Sequence, residues 1–416
     1  MPMPADSLRA PADVDMRPVL VRLHRWFGIG IAAFLFLSGT TGAIIAWNVE
    51  LDTLLNPGFY YVRETAPALS SLELANRVEA ADPRLRITYL PLAVEPGHTL
   101  LARVEGRLNP ATNKPYDLGF SQIAIDPATG SIQARREWGA FPVTRLNLLP
   151  FIYELHFTLH LPATASGIEI GVWLLGVVSI VWLVDSMIAL ALSFPSFKAW
   201  RKSLAFRVRR GGYALTFDLH RSGGVWVWGL LAVIALTSVS LNLGTPVVRP
   251  VVALFSKLKP APLTDPRLLP AVKPGTVELS RERIVELARQ LRGRLNIDEA
   301  PGATFYMSSV HVYGVGYFAP GGESADGKLG NAWTYWDAVT GKEIGDTIPG
   351  QGSAGDVFLQ AQFPLHSGRI LGLPGRIMVS AMGVMIAILS ATGLLIWMKK
   401  WKGRRVAARR ARGVVA

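Results

Sequence analysis

The sequence predicts a membrane protein of the α+β class, with four transmembrane helices in two tandem repeats and two small α+β domains outside the membrane. Three observations predict it. Half of the 416 residues are apolar and only 18% are charged, against about 25% charge in soluble chains. The apolar residues cluster into four stretches, 26–49, 170–193, 222–248 and 377–398, each long enough to cross about 30 Å of hydrocarbon at about 1.5 Å per residue. Short motifs also recur in one order along the two halves of the chain.

The first stretch is too long, and too uncharged toward its C-terminal end, for a cleaved signal peptide, so it is expected to be a retained span. Orientation follows from the basic residues. The head, the loop 194–221 and the tail after Met398 hold 19 basic against 4 acidic residues, while the rest of the chain carries a net charge of −2. These segments are expected to be cytoplasmic. The resulting organisation is an N-terminal tail 1–17, spans 18–49, 166–194, 220–248 and 371–398, outward segments 50–165 and 249–370, a basic loop 195–219 and a basic tail 399–416. The tail cluster Lys399-Lys400-Trp401-Lys402-Gly403-Arg404-Arg405 abuts a span, where basic residues meet anionic lipid headgroups and fix topology, so nucleic acid is not an expected partner.

The repeat rests on three markers. His24-Arg25-Trp26-Phe27-Gly28 and His220-Arg221-Ser222-Gly223-Gly224 both read His-Arg-x-x-Gly, 196 residues apart. Asp126-Pro127-Ala128-Thr129-Gly130 answers Asp337-Ala338-Val339-Thr340-Gly341 at an offset of 211, and Leu155-His156 answers Leu365-His366 at 210. Both copies start on the same side, which makes the repeat parallel. Each outward segment opens with apolar residues at helical spacing, 72–80 and 283–291, with Ser71 and Ser280 as candidate N-caps. The Asp-x-x-Thr-Gly motifs then supply hairpin chemistry, since Asp bonds its own turn and Gly accepts the positive φ. Each domain is too small for a large core and is expected to pack on its neighbour.

Absence of cysteine excludes a disulfide framework, a thiolate nucleophile, an iron–sulfur cluster and c-type haem attachment. Any metal or haem iron must be held by His, Met, Tyr or carboxylate. Four of the seven histidines fall at repeat markers: His24 and His220 at the cytoplasmic ends of spans one and three, His156 and His366 at the outer ends of spans two and four. Six-coordinate b-type haem needs two neutral imidazoles facing each other at equal depth, and two such pairs would hold two haems b. Arg25 and Arg221 on one face, and Arg369 and Arg376 on the other, are candidate partners for the propionates. Gly28, Gly30, Gly39, Gly42, Gly224 and Gly383 would admit a porphyrin or a close helix, and Trp26, Trp226 and Trp228 are candidates to line the inner pocket.

The plainer reading is that interfacial His and snorkelling Arg are common and that span glycines serve helix packing. Four histidines in a depth-matched repeat favour haem. His160 shares a helical face with His156 and could replace it as ligand, donate to a propionate or merely pack. His98 and His311 have no repeat counterpart and read as surface or core residues. Asp185, a carboxylate inside a span, needs a partner or a purpose: a proton or quinol path, or a hydrogen bond to a neighbouring Ser, Trp or haem-linked group. No phosphate-binding loop, strand-to-helix dinucleotide site, H-E-x-x-H or Ser/His/Asp constellation is present, so electrons would come from a cytoplasmic donor or membrane quinol.

His24-Arg25-Trp26-Phe27-Gly28, the two Asp-x-x-Thr-Gly turns, Leu155-His156-Phe157-Thr158-Leu159, Phe217-Asp218-Leu219-His220-Arg221 and Pro364-Leu365-His366-Ser367-Gly368 resemble the PepSY-associated transmembrane proteins of bacterial inner membranes, over roughly residues 18–402. That family includes ferric-siderophore reductases of the FoxB-like type. The resemblance implies four spans with both termini cytoplasmic, two periplasmic PepSY-like domains and haem bound by span histidines, with His24, His156, His220 and His366 at the matching positions. His160 is a departure, standing where the family more often has an apolar residue. The function implied is a di-haem oxidoreductase that passes electrons outward to a periplasmic ferric siderophore. Two alternatives stand beside it: a haem-free regulator binding a periplasmic protein, and a siderophore or iron permease using Asp185.

Overall fold

The computed structural model describes residues 15–62, 67–141, 143–194, 200–270 and 276–411. Of the expected cytoplasmic segments, residues 1–14, 195–199 and 412–416 lie outside them. In chain order the elements are α1 (Arg17–Ile45), α2 (Asn48–Leu55), α3 (Pro57–Tyr60), α4 (Ser71–Ala81), β1 (Leu85–Pro91), β2 (Leu100–Gly106), β3 (Leu108–Asn109), β4 (Lys114–Pro115), β5 (Gln122–Ile125) and β6 (Ile132–Arg136). The chain continues through α5 (Leu148–Thr158), α6 (Ile170–Ser193), α7 (Trp200–Leu204), α8 (Gly212–Trp226), α9 (Trp228–Leu243), α10 (Arg249–Ala253) and α11 (Arg281–Arg294). Strands β7 (Pro301–Met307), β8 (Val312–Tyr317), β9 (Ala332–Asp337) and β10 (Glu343–Thr347), then α12 (Ala354–His366) and α13 (Gly372–Ala411), complete it.

Among the described residues, four helical segments are long and apolar enough to cross a membrane: Arg17–Ile45, Ile170–Ser193, Trp228–Ala253 and Arg369–Ala411. The third starts later than the expected 220–248, because Val227, with ψ near 8°, separates α8 from α9. Gly223, Gly224 and Gly229 flank that break and weaken the helix there. His220 therefore lies on α8, ahead of the span, just as His156 lies on α5 and His366 on α12. Of these four histidines, His24 sits on one of the candidate span helices itself, and the other three on helices that lead into them. At the other end α13 runs through the basic tail to Ala411, since Lys, Arg and Ala are good helix formers.

The chain divides into two compact units. One comprises Met1–Leu37, Val177–Ala235 and Met385–Ala416, the other Ser38–Gly176 and Leu236–Val384. The second contains the sheet. Its eight antiparallel strands run in the order β10-β9-β8-β7-β1-β2-β5-β6, so both outward segments contribute to one continuous sheet rather than to two. The join is the pairing of Tyr89, Leu90 and Pro91 of β1 with Phe305, Thr304 and Ala303 of β7. Two hydrophobic cores nevertheless persist on it. Leu74, Ala75 and Val78 of α4 pack on Leu85, Ile87, Leu100 and Ile123, and Ile284, Ala288 and Leu291 of α11 pack on Tyr306, Val315 and Trp336. Each such large apolar side chain withdrawn from water contributes about 1.5–3 kcal/mol.

The local chemistry follows the sequence closely. Asp126 Oδ1 accepts from the Ala128 and Thr129 amides at 2.8 and 3.3 Å, and Asp337 Oδ1 from those of Val339 and Thr340 at 2.8 and 3.0 Å. Gly130 and Gly341 take φ of +79° and +68°, where a Cβ is strained. Ser280 caps α11 by accepting from Arg283 N at 3.3 Å. The cap of α4 is Ser70, accepting from Glu73 N at 3.2 Å, and Ser71 is the first helical residue; the cap bond runs three residues forward, which selects the earlier serine. His311 is not a plain surface residue: its Nδ1 donates to Glu278 at 2.6 Å, and Arg86 reaches the same carboxylate at 3.1 Å. His98 packs against Tyr61, with ring centroids 4.8 Å apart.

The segment after α1 is tied to the sheet by charge. Asp52 of α2 and Arg136 of β6, with side chains only 5% and 4% exposed, form an ion pair at 2.7 Å. Asn56 and Tyr60 also donate to Asp52, at 2.8 and 2.5 Å, and Arg136 reaches Gln122 Oε1 at 2.7 Å. Burial pushes the Tyr60 phenol well above its ordinary value, keeping it a donor. Removing one partner from a satisfied buried pair leaves an uncompensated charge. Asp52→Ala is therefore expected to cost about 3–5 kcal/mol, read as a lowered unfolding temperature in detergent, whereas Arg84→Ala, at the exposed Asp82 pair, should leave it almost unchanged.

Candidate functional site

Each unit contains one histidine pair. In the first, His24 of α1 faces His220 of α8, with ring centroids 6.1 Å apart. In the second, His156 of α5 faces His366 of α12 at 6.3 Å. An imidazole nitrogen lies about 1.1 Å from its ring centre, so two rings sharing one metal at about 2.0 Å per bond stand slightly over 6 Å apart.

The flanking sequence places these rings. Buried Asp218, two residues before His220, accepts from the Arg207 amide and guanidinium at 2.8 Å. This anchors α8 to the preceding loop. A capping box between Ser353 and Asp356 starts α12, and Gly368 at φ +73° turns the chain immediately beyond His366. Helix α5 ends at Leu159 and His160, both in the left-handed region.

Every one of the four rings is held by its Nδ1. His24 Nδ1 donates to Asp185 at 2.9 and 3.1 Å, and His220 Nδ1 to the Leu389 carbonyl at 3.0 Å. His156 Nδ1 lies 2.9 Å from Thr41 Oγ1. Ser38 O stands 3.3 Å from that hydroxyl as an acceptor for its proton, an arrangement in which the hydroxyl can accept from the imidazole. His366 Nδ1 makes the matching contact with Thr237 Oγ1 at 3.1 Å. An imidazole bonded through Nδ1–H presents Nε2 as its lone-pair nitrogen, the arrangement in which outer hydrogen bonds orient metal-ligating histidines. Burial also lowers His156 and His366 below the ordinary histidine range, which keeps them neutral.

Around His24 and His220 lies a cavity of about 560 Å³ walled by Gly28, Gly224, Trp182, Trp228, Leu389 and Gly393, among others. Arg25 and Arg221 also line it, and each keeps a buried Nε with no hydrogen-bond partner. Two glycines stand against the imidazoles: a Cβ at Gly393 would lie 3.0 Å from His220 Cε1, and one at Gly42 3.0 Å from His156 Cε1. Among the described residues no group of three or more His, Cys, Asp or Glu is placed to hold a bare metal ion. At His24 and His220, two imidazoles held through Nδ1, a cavity with largely apolar walls and unsatisfied guanidinium nitrogens fit a haem, which would supply the remaining ligands of its iron.

The family model described as PepSY-associated TM region matches residues 21–400. The chain belongs to that family. No curated protein matches it.

Within this PepSY-associated chain, His160 does not join the second pair. Its ring stacks on Phe151 at 4.1 Å and its Nε2 donates to the Phe151 carbonyl at 2.9 Å, fastening the reversal after α5. Arg369 and Arg376 both have carboxylate partners, Asp326 at 2.6 Å and Glu50 at 2.6 Å respectively, and Arg376 also donates to Ala46 O. Trp228 lines the cavity, whereas Trp26 and Trp226 are 59% and 65% exposed and do not. Gly30 has no neighbour near its Cβ position, while a Cβ at Gly383 would press on the Gly39 backbone and Ala43, so that glycine serves helix contact.

Thr41, Thr237 and Gly393 were not anticipated. The two threonines are 196 residues apart, the same offset as His24 and His220, so extending the repeat comparison through the spans would have found them. Gly393 offers no such signal. Gly42→Leu and Gly393→Leu are each expected to displace one imidazole and so to abolish any haem binding at that pair alone, read by pyridine haemochrome assay against the parent on protein that keeps its elution volume.

Proposed function

We propose that the protein is a di-haem b reductase of the bacterial inner membrane, with both termini cytoplasmic, a parallel repeat of span, outer domain and span, and its sheet in the periplasm. It takes electrons from a cytoplasmic donor or membrane quinol and delivers them to a periplasmic ferric siderophore. The observation that carries this reading is the pair of matched imidazole couples at 6.1 and 6.3 Å, with all four Nδ1 atoms engaged. Haem b bound at such a couple supplies reversible one-electron ferric/ferrous chemistry.

The chain's own residues do the rest. His24 and His220 hold the inner group, and His156 and His366 the outer one. Asp185, the Leu389 carbonyl, Thr41 and Thr237 fix ring orientation and tautomer. Arg25 and Arg221 offer their free Nε–H groups to carboxylates at the inner cavity. The apolar spans exclude water around the inner group and hold it in a low-dielectric setting. At the outer face one electron converts the substrate's ferric ion to ferrous, which binds hard oxygen donors more weakly and leaves the chelate. The repeat is supported by a shared element order, α4-β1-β2-β5-β6 against α11-β7-β8-β9-β10, and by the Thr41 and Thr237 bonds.

The test is a dithionite-reduced minus oxidised visible spectrum of purified protein from haem-replete cells. A b-type spectrum with two haems per chain is expected, falling to one in His24→Ala, His220→Ala, His156→Ala or His366→Ala and staying at two in His160→Ala. Colourless protein would sink the reading in favour of a haem-free partner-binding role.

A further inference from the structure

The four Nδ1 bonds are not equivalent. Two go to threonine hydroxyls at matched repeat positions, Thr41 and Thr237, and one to the Leu389 carbonyl with Thr392 Oγ1 beside it at 3.3 Å. The fourth, on His24, goes to the carboxylate of Asp185, which stands within 2.9 and 3.1 Å with both oxygens and is itself buried. The residue 210 positions beyond Asp185, the offset between His156 and His366, is Leu395, so the repeat has no second copy of this acid. A carboxylate in the wall of an apolar cavity is costly unless it has a use.

Resting on the haem reading above, we infer that Asp185 is a positioning residue that makes the His24/His220 site more reducing than the same site would be without its charge. The physical reason lies in the ligand. An imidazole that donates Nδ1–H to a carboxylate becomes a stronger base at Nε2 than one that donates to a neutral oxygen. A more basic ligand, with a negative charge beside it, favours the ferric over the ferrous state and lowers the midpoint potential. Arg17, Arg25, Arg221, Lys400 and Arg404 line the same cavity and act in the opposite sense. Asp185 outweighs them at the iron because it bonds the ligand itself, while the free Arg25 and Arg221 nitrogens are available to neutralise propionates. The outer site has threonine hydroxyls at both Nδ1 atoms and, among the described hydrogen bonds, no carboxylate on either imidazole, and the contrast gives electron flow its outward direction.

The test is equilibrium redox titration of purified protein followed by visible absorbance. His366→Ala isolates the inner site and His220→Ala the outer one. In the inner-site background, Asp185→Asn is expected to raise the reduced-to-oxidised ratio at fixed poise at least tenfold, about 59 mV for one electron. Asp185→Glu should return most of that change, and Asp185→Asn in the outer-site background should shift nothing. No shift at the inner site, or equal shifts at both, overturns the inference. Should Asp185→Asn carry no haem at the inner site, the unmodified residue decides: a lower midpoint in His366→Ala than in His220→Ala supports the inference, and an equal or higher one overturns it. Colourless parent protein instead overturns the haem reading beneath it.

Discussion

An imidazole has two nitrogens, and only one can serve a metal while the other fixes the ring. The site depends on that constraint. At His24, His156, His220 and His366 the ring is held through Nδ1, which leaves Nε2 as the nitrogen available to a metal. Core-facing histidines without such a duty satisfy whichever nitrogen is convenient. His160 shows the contrast, since its Nε2 goes to the Phe151 carbonyl and its ring stacks flat on a phenylalanine.

Much of the scaffold exists to bring these rings to fixed places. Three of the four lie on helices that lead into spans rather than on the spans, and each such helix is pinned near its histidine. Asp218 ties α8 to Arg207, left-handed Gly368 turns the chain directly beyond α12, and the left-handed turn at Leu159 and His160 closes α5. A residue at a helix end is then set by local backbone chemistry as well as by packing. In the second unit the buried Asp52–Arg136 pair fixes the segment following α1 to the edge strand β6.

The legible part of the molecule was the part written in short-range chemistry or in repetition. The spans came from apolar length, the Asp-x-x-Thr-Gly turns from side-chain bonds two and three residues away, and the four paired histidines from their recurrence. The antiparallel join of β1 to β7 was not legible, because it pairs residues more than 200 positions apart and nothing in Tyr89-Leu90-Pro91 names Phe305-Thr304-Ala303 as its partner. The same holds for Asp185, whose need of a partner was visible while the identity of that partner, 161 residues away, was not. The break at Val227 is equally illegible, since one residue of altered ψ interrupts a pattern that apolar averaging treats as continuous.

The central claim of the proposed function is that the chain carries electrons from one side of a bilayer to iron on the other. The most direct measurement encloses a reductant inside sealed vesicles bearing the purified protein, with a ferric hydroxamate and an impermeant ferrous-specific dye outside. The account predicts dye–ferrous complex formation that requires the protein and is lost in both His220→Ala and His366→Ala. Complex formation at the same rate in those two variants, with vesicles equally tight, would contradict it.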